Sequence, residues 1–229
     1  MQQISPSLYQ ISLGPVNLFL LEDSDGLTLI DSGFPGSKDK IFNAVRKGGK
    51  DPAAIKRIIL THCHPDHAGS AADIQRATGA RVYAHVDDAG PIEAGAILNR
   101  ARHLSPGLIN WLVYQLFIKR TSHLFSGVVV DQRLRDGDVL PLAGGVEVIH
   151  TPGHSAGHVA LLLHRDSVLI AGDICANMTG LDYSTVYEDR DVGRQSILRA
   201  AGFTFNKAVF GHGGAVKQGA SQKLRARFA

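Results

Sequence analysis

The chain has 229 residues, 44% of them hydrophobic and 20% charged, enough to bury one sizeable core. Its formal net charge is only +3, and Lys and Arg are scattered with no basic run interleaved with aromatics, so nucleic acid is not an expected partner. No apolar run approaches the about 20 residues that span a bilayer, which argues against stable membrane insertion. Met1 to Gln10 lacks a basic stretch followed by an apolar segment, so no signal peptide is expected. The two cysteines, Cys63 and Cys175, form no Cys-x-x-Cys pair and imply no disulfide framework. A reducing compartment and a cytoplasmic location follow as expectations.

In chain order, Val16 to Leu21 and Leu27 to Ile30 are short apolar runs around the turn Asp23-Ser24-Asp25-Gly26, which is hairpin grammar. The second run leads into Asp31-Ser32-Gly33. Residues 38–47 have helical spacing, with Ile41, Phe42 and Val45 on one face and Gly48-Gly49 as the stop. Residues 52–55 form a helical turn before the apolar strand Ile58 to Leu60. Residues 68–78 make a small-residue helix with Gly79 as its cap, and Arg81 to Ala84 is a strand.

Strand signals vanish between Asp87 and about Phe125. Two helices are expected there, broken at Ser105-Pro106-Gly107, as an insertion packed over the core. The second helix, Leu108 to Arg120, is apolar on nearly every side. Such a helix should be buried, or should face an apolar ligand or partner. Strands resume at Val128 to Val130, Val146 to Ile149, Val159 to Leu163 and Val168 to Ala171. Residues 197–201 are helical, and Ala208 to Phe210 is a last strand before Gly211-His212-Gly213-Gly214. A single domain over residues 1–229 accommodates all of these.

The densest chemistry is Thr61-His62-Cys63-His64-Pro65-Asp66-His67, directly after a strand. Divalent ions such as zinc take neutral imidazole and carboxylate ligands. His62 and His64 are two apart and share a side of an extended loop, and His154 could complete a three-histidine site. Pro65 redirects the chain, so Asp66 and His67 could hold a second ion with His212. Asp173, emerging from an apolar run beside Gly172, could bridge both. Cys63 and Cys175 both fall close to these ligands in sequence. His85, His103, His123 and His164 read as ordinary surface or helix residues. His158 is either structural or an outer partner of a ligand. Asp31 either closes an Asp-Ser-Gly turn or orients the histidine loop.

Taken in order, Asp31, the His-x-His-x-Asp-His stretch from His62 to His67, His154, Asp173 and His212 resemble the landmarks of the metallo-β-lactamase superfamily. The likeness covers about residues 14–214. It implies an α+β fold, an αββα sandwich of two mixed sheets flanked by helices, with the site in loops at one edge. It also implies one ion on His62, His64 and His154 and another on Asp66, His67 and His212. Asp173 would bridge them, and Asp31 would act as an outer carboxylate. The cofactors would be two divalent ions, with zinc, manganese and iron all compatible with these donors. Ions about 3.5–4 Å apart would generate a bridging hydroxide for attack on a carbonyl, with Asp66 and Asp173 as catalytic carboxylates.

The reaction expected is opening of an ester, lactone or thioester in a small-molecule substrate. The bridging aspartate looks more like glyoxalase II and lactonase-like hydrolases than true class B β-lactamases. Yet the glyoxalase II helical domain has no counterpart after His212, and Ile174-Cys175-Ala176-Asn177 lacks the tyrosine of acyl-homoserine lactonases. The persulfide dioxygenase Gly-Cys-Gly-Arg stretch is also missing. Alternatives are β-lactam hydrolysis and a mononuclear-iron dioxygenase or metal-binding redox protein on the same fold. Flavodiiron proteins, which carry a glutamate at the His64 position, fit less well. Trp111, Phe117, Asn177 and Tyr183 are the candidate substrate-pocket residues. The apolar helices would wall that pocket, pack onto the core or form a homodimer contact.

Overall fold

Alternation along the strands sorts their side chains into separate apolar layers. A computed structural model describes residues 1–97 and 103–229. The first half contains β1 (Gln2–Gln3), β2 (Leu8–Ser12), β3 (Asn17–Asp23), β4 (Gly26–Ile30), α1 (Lys38–Lys47), β5 (Ile55–Ile59), α2 (Pro65–Ala68), α3 (Ala71–Thr78), β6 (Arg81–His85) and α4 (Val86–Ala94). Then come β7 (His103–Leu104), α5 (Leu108–Val113) continued by a π-helical turn at Tyr114–Ile118, β8 (Gln132–Leu134), β9 (Val139–Leu140), β10 (Val146–His150), β11 (Val159–Leu163) and β12 (Val168–Ile170). The chain finishes with the short pair β13 (Ala176–Asn177) and β14 (Leu181–Asp182), then β15 (Val186–Tyr187), α6 (Arg190–Ala200), β16 (Lys207–Val209) and α7 (Ala220–Phe228).

One sheet runs β1-β2-β3-β4-β5-β6-β8 and the other β16-β12-β11-β10-β9. The first is antiparallel through β4 and parallel from there to β8, while the second is antiparallel except for β12 beside β16. Period-two side-chain placement then builds three cores. Leu18 and Leu20 of β3 face α1, α3 and α4, whereas Phe19 and Leu21 face the second sheet. Likewise Val159, Leu161 and Leu163 of β11 point between the sheets, and Ala160 and Leu162 point toward α6 and α7. The result is a four-layer helix–sheet–sheet–helix sandwich of α+β class. No helix among the described residues is long and apolar enough to cross a membrane.

Several boundaries differ from the sequence reading. The helix expected over 68–78 is split, with a one-turn helix from Pro65 and then α3 from Ala71. Val128 to Val130 is not a strand: Val128 N–H donates to Ile92 O and Val130 N–H to Glu93 Oε1, so this stretch is held by α4. The first expected insertion helix is part of the core, since Ala89 and Ile92 of α4 are buried. Chain departure begins after Gly95, where Phe125 N–H donates to Gly95 O and Ile97 N–H to His123 O, closing the excursion at its root. Residues 98–102 of the expected insertion lie outside the described residues.

The greatest departure is α5. Its sequence calls for burial or for an apolar ligand or partner, and it is not buried: Leu108, Ile109, Leu112 and Leu116 are exposed, and Trp111 and Phe117 are 48% and 69% exposed. The π-helical turn that continues α5 likewise buries none of its residues.

Candidate metal centre

The third residue after β5 is His62, and the ligand-type residues of the second sheet follow β10, β12 and β16 within three or four residues in the same way. All of these loops leave the C-terminal ends of their strands at one edge of the sandwich. His64 is extended, as the following Pro65 requires, and Pro65 opens α2. That turn lifts Asp66 and His67 away from the direction of His62 and His64.

The structure brings all seven residues together. Ligand atoms of His62, His64 and His154 lie within 4.8 Å of one another, as do those of Asp66, His67 and His212 and those of His62, His67 and Asp173. Asp173 Oδ2 is central, 3.1 Å from His212 Nε2, 3.5 Å from His154 Nε2 and 3.6 Å from His67 Nε2. Asp66 Oδ2 is 3.4 Å from His212 Nε2.

The other ring nitrogens are occupied. His154 Nδ1 donates to Val186 O at 2.9 Å and His212 Nδ1 to Pro15 O at 2.7 Å. His67 Nδ1 donates to Asp31 Oδ2 at 2.8 Å, and His62 Nδ1 bonds Thr61 Oγ1 at 3.0 Å. Outer partners of this kind fix which nitrogen is free. The free atoms are then conspicuous: Nε2 of His62, His67 and His154 and Oδ1 of Asp173 are buried without a hydrogen-bond partner. Buried polar atoms are nearly always paired, so a cation at this cluster fits the residues present.

Asp31 holds the loop as well as His67. Thr61 N–H donates to Asp31 Oδ1 at 2.8 Å, and the Thr61 hydroxyl lies 2.9 Å from Oδ2. The residue adopts φ 62°, a left-handed conformation uncommon outside glycine. His158 is fully buried, but its partner is not a ligating ring. Its Nε2 accepts the backbone N–H of Asp173 at 2.9 Å, and its Nδ1 bonds Thr151 Oγ1 at 2.8 Å. Glycine is needed at Gly211 for space: a Cβ there would lie 2.1 Å from Asp173 Oδ1 and 2.7 Å from His67 Cε1.

Charge divides the cluster. Burial pushes the His62, His64 and His154 imidazoles below their ordinary range, which leaves them neutral. Burial alone would do the same to His67 and His212, but Asp173 and Asp66 outweigh it, aided at His67 by Asp31. His67 is raised well above its usual value and His212 to about 10. Asp66 and Asp173 are correspondingly held low: burial opposes ionisation, but His67 and His212 outweigh it.

The expected pocket residues are dispersed. Trp111 and Phe117 stand on the exposed helix. The Asn177 amide donates to Gly214 O at 2.7 Å and so clamps the loop that carries His212. The Tyr183 ring packs 5.1 Å from Phe228 in the layer under α7, because the β13–β14 hairpin lies against that helix. Cys63 and Cys175 also turn away, into the two helix-side cores, and burial raises the Cys175 thiol far above its usual range.

His85 is a correction too. It is buried and stacked on His150 at 3.9 Å, with ring planes 13° apart. Ligand atoms of His85, Asp87 and His150 fall within 4.8 Å, yet stacked rings direct their lone pairs side by side and not at one point.

Tyr187, which the sequence reading missed, packs edge-on to His154 with centroids 5.7 Å apart, and its hydroxyl donates to Ile174 O at 2.6 Å. Thr61 and Asp88 were missed as well. Thr61 is adjacent to a ligand, which is a usable signal, whereas nothing local marks Asp88.

A profile described as the metallo-beta-lactamase superfamily matches residues 11–212. The chain is 25% identical over 228 residues to the probable metallo-hydrolase YflN of Bacillus subtilis (strain 168), covering 92% of this chain and 85% of that one. It is 25% identical over 189 residues to the N-acyl homoserine lactonase AiiA of Bacillus thuringiensis subsp. kurstaki, covering 69% of this chain but 63% of the lactonase. Among solved structures, BJP-1, a subclass B3 metallo-beta-lactamase of Bradyrhizobium japonicum, is similar with a TM-score of 0.70 and 25% identity, over 92% of this chain and 76% of that one. With the profile spanning most of its length, and a fold to match, the chain belongs to the metallo-beta-lactamase superfamily of metallo-hydrolases.

Proposed function

We propose that this protein is a dinuclear metal hydrolase that opens an ester, lactone or thioester carbonyl. The observation that carries the reading is the set of buried, unpartnered atoms on His62, His67, His154 and Asp173 converging on one cluster. In this reading His62, His64 and His154 would hold one ion and Asp66, His67 and His212 the other, with Asp173 available to both. Divalent ions bound there would supply an acidified water and a Lewis acid for the carbonyl oxygen. Three neutral imidazoles suit zinc, and manganese or iron can occupy the same donors.

The chain contributes orientation and proton handling. Hydrogen bonds at Nδ1 of His62, His67, His154 and His212 hold the imidazoles with Nε2 inward. Asp66 is the carboxylate that reaches solvent, with 24% of its side chain accessible. It is placed to take the proton released as water attacks and pass it to the departing oxygen or sulfur. The bond from the carbonyl carbon to that atom breaks, leaving a carboxylic acid and an alcohol or thiol. With ions bound, their positive charge would keep Asp173 ionised after His67 and His212 have given up their protons.

A second reading is β-lactam hydrolysis, supported by the likeness to the B3 enzyme. A panel of lactones, thioesters, phosphoesters and β-lactams on metal-loaded protein separates the two. Lactone, ester or thioester turnover, lost on chelation, is expected with about two equivalents of metal. Uptake of one iron with oxygen consumption would overturn it in favour of the dioxygenase alternative. Asp173→Ala should cut turnover by more than about 100-fold, because even outer partners of ligands are worth 10- to 100-fold; near-normal activity would contradict a bridging role.

A further inference from the structure

A single carboxylate ties the two loops of the three-histidine site together. Asp88, fully buried near the start of α4, belongs to neither loop. Its Oδ2 accepts the backbone N–H of Cys63 at 3.0 Å and the Ser155 hydroxyl at 2.6 Å. Its Oδ1 accepts the backbone N–H of Gly157 at 3.0 Å. Cys63 lies between His62 and His64, and Ser155 directly follows His154. The carboxylate therefore grips one loop from the first sheet and one from the second, each within a residue of a ligating histidine.

Two further facts show that this contact is built in. A Cβ on Gly157 would fall 2.4 Å from Asp88 N and 2.7 Å from Asp88 Cβ, so the second loop reaches the aspartate only because residue 157 has no side chain. At the strand ends the same loops are joined by Val159 N–H to Thr61 O at 2.8 Å. That bond fixes their bases, while Asp88 acts further along, where the histidines project.

We propose that Asp88 is a positioning residue that sets the distance from His154 to His62 and His64, and so the affinity of the three-histidine site in particular. The proposal rests on the dinuclear reading above. Asparagine keeps the shape of aspartate but turns an acceptor into a donor facing a donor. Asp88→Asn should therefore spread the loops at that point without emptying the core.

The test measures zinc affinity with a competing chromophoric chelator in backgrounds that retain one site each. His212→Ala cripples the Asp66/His67/His212 site and leaves the three-histidine site, and His154→Ala does the converse. Adding Asp88→Asn to the His212→Ala protein should weaken zinc binding by about 10- to 100-fold, the range for outer partners of ligands. Adding it to the His154→Ala protein should change binding by less than about threefold. Such selectivity is not what general loosening produces, which would weaken both sites and lower the melting temperature alike. Equal weakening in both backgrounds, or none in either, overturns the proposal. If Asp88→Asn does not fold, Ser155→Ala, which deletes one of the three donors, should show the same selectivity at smaller size, and its absence would count equally against the idea. A wild-type chain that takes up neither zinc, manganese nor iron overturns the dinuclear reading itself, a result distinct from two bound ions with no Asp88 effect.

Discussion

His67 and His212 differ from the other cluster histidines in facing more than one carboxylate, Asp66 and Asp173 at both and Asp31 also at His67, whereas His154 faces Asp173 alone, and that decides what a metal must displace. His62, His64 and His154 are neutral through burial, so an ion can join them without expelling a proton. Burial also works against charge on His212, but Asp173 and Asp66 prevail and raise it to about 10; His67 is shifted the same way. A ligand must be deprotonated to bind, so the Asp66/His67/His212 site should release protons on loading. For each proton released, its affinity should rise about tenfold per pH unit below the raised value. Calorimetry in buffers of different ionisation enthalpy should show close to zero protons released for the first ion and one to two for the second. In metal-free protein the sign of the stability term follows. The raised imidazoles stabilise fully below about pH 6.5, and that contribution fades as pH climbs through about 10. The lowered carboxylates stabilise above their usual range, and their share is lost on acidification.

At the scale of elements, α5 is the piece whose sequence and placement disagree. An all-round apolar helix is expected to be covered, and this one is not. Its root nevertheless touches the site. Ser105 donates to Ser184 O at 2.6 Å, Thr185 to Asn110 Oδ1 at 3.3 Å, and Ser184 in turn to Asp173 O at 2.8 Å. In our reading this helix offers the acyl or aromatic part of the substrate an apolar face. Replacing Trp111 and Phe117 together by Ala should raise KM for long-chain esters by about tenfold, as a loss of about 1.4 kcal/mol would. Short-chain substrates should be little affected, and the melting temperature should stay within a few degrees, since exposed side chains contribute little to packing. A uniform loss across chain lengths would argue against this role. The cluster itself was readable because His62 to His67 concentrates four ligand-type residues in one loop after a strand. The sandwich was legible only through the resemblance carried by the motifs, because β3 and β11 are apolar on both faces and show no alternation that would assign a side. Asp88 was not, because its importance arises where α4 meets two distant loops. Val128 to Val130 misled because its alternation is real but is answered by α4 instead of a neighbouring strand.

Over the whole molecule, the cluster is a seam. His62, His64, Asp66 and His67 arise from the first sheet and His154, Asp173 and His212 from the second. Asn17 reinforces the seam, its backbone donating to Gly211 O at 2.8 Å and its amide to Phe210 O and Gly213 O. Ions bound there would link the two layers whose shared core holds Phe19, Val148 and Leu161. Free metal at 100 times its dissociation constant should stabilise the fold by about 2.7 kcal/mol. For a chain of this size that is a rise of about 5–10 °C in melting temperature. Scanning calorimetry with and without a chelator measures it, and identical curves would mean that no ion is bound by the folded chain. The tightest stitch in this seam is Gly211, where the backbone passes so close to Asp173 and His67 that a methyl group has nowhere to go. The position with no side chain is thus among the least replaceable in the protein. A redesign of this site could rewrite the residues that choose a substrate, but at Gly211 any side chain meets Asp173 and His67, so it would have to proceed around a fixed point that contributes no functional group at all.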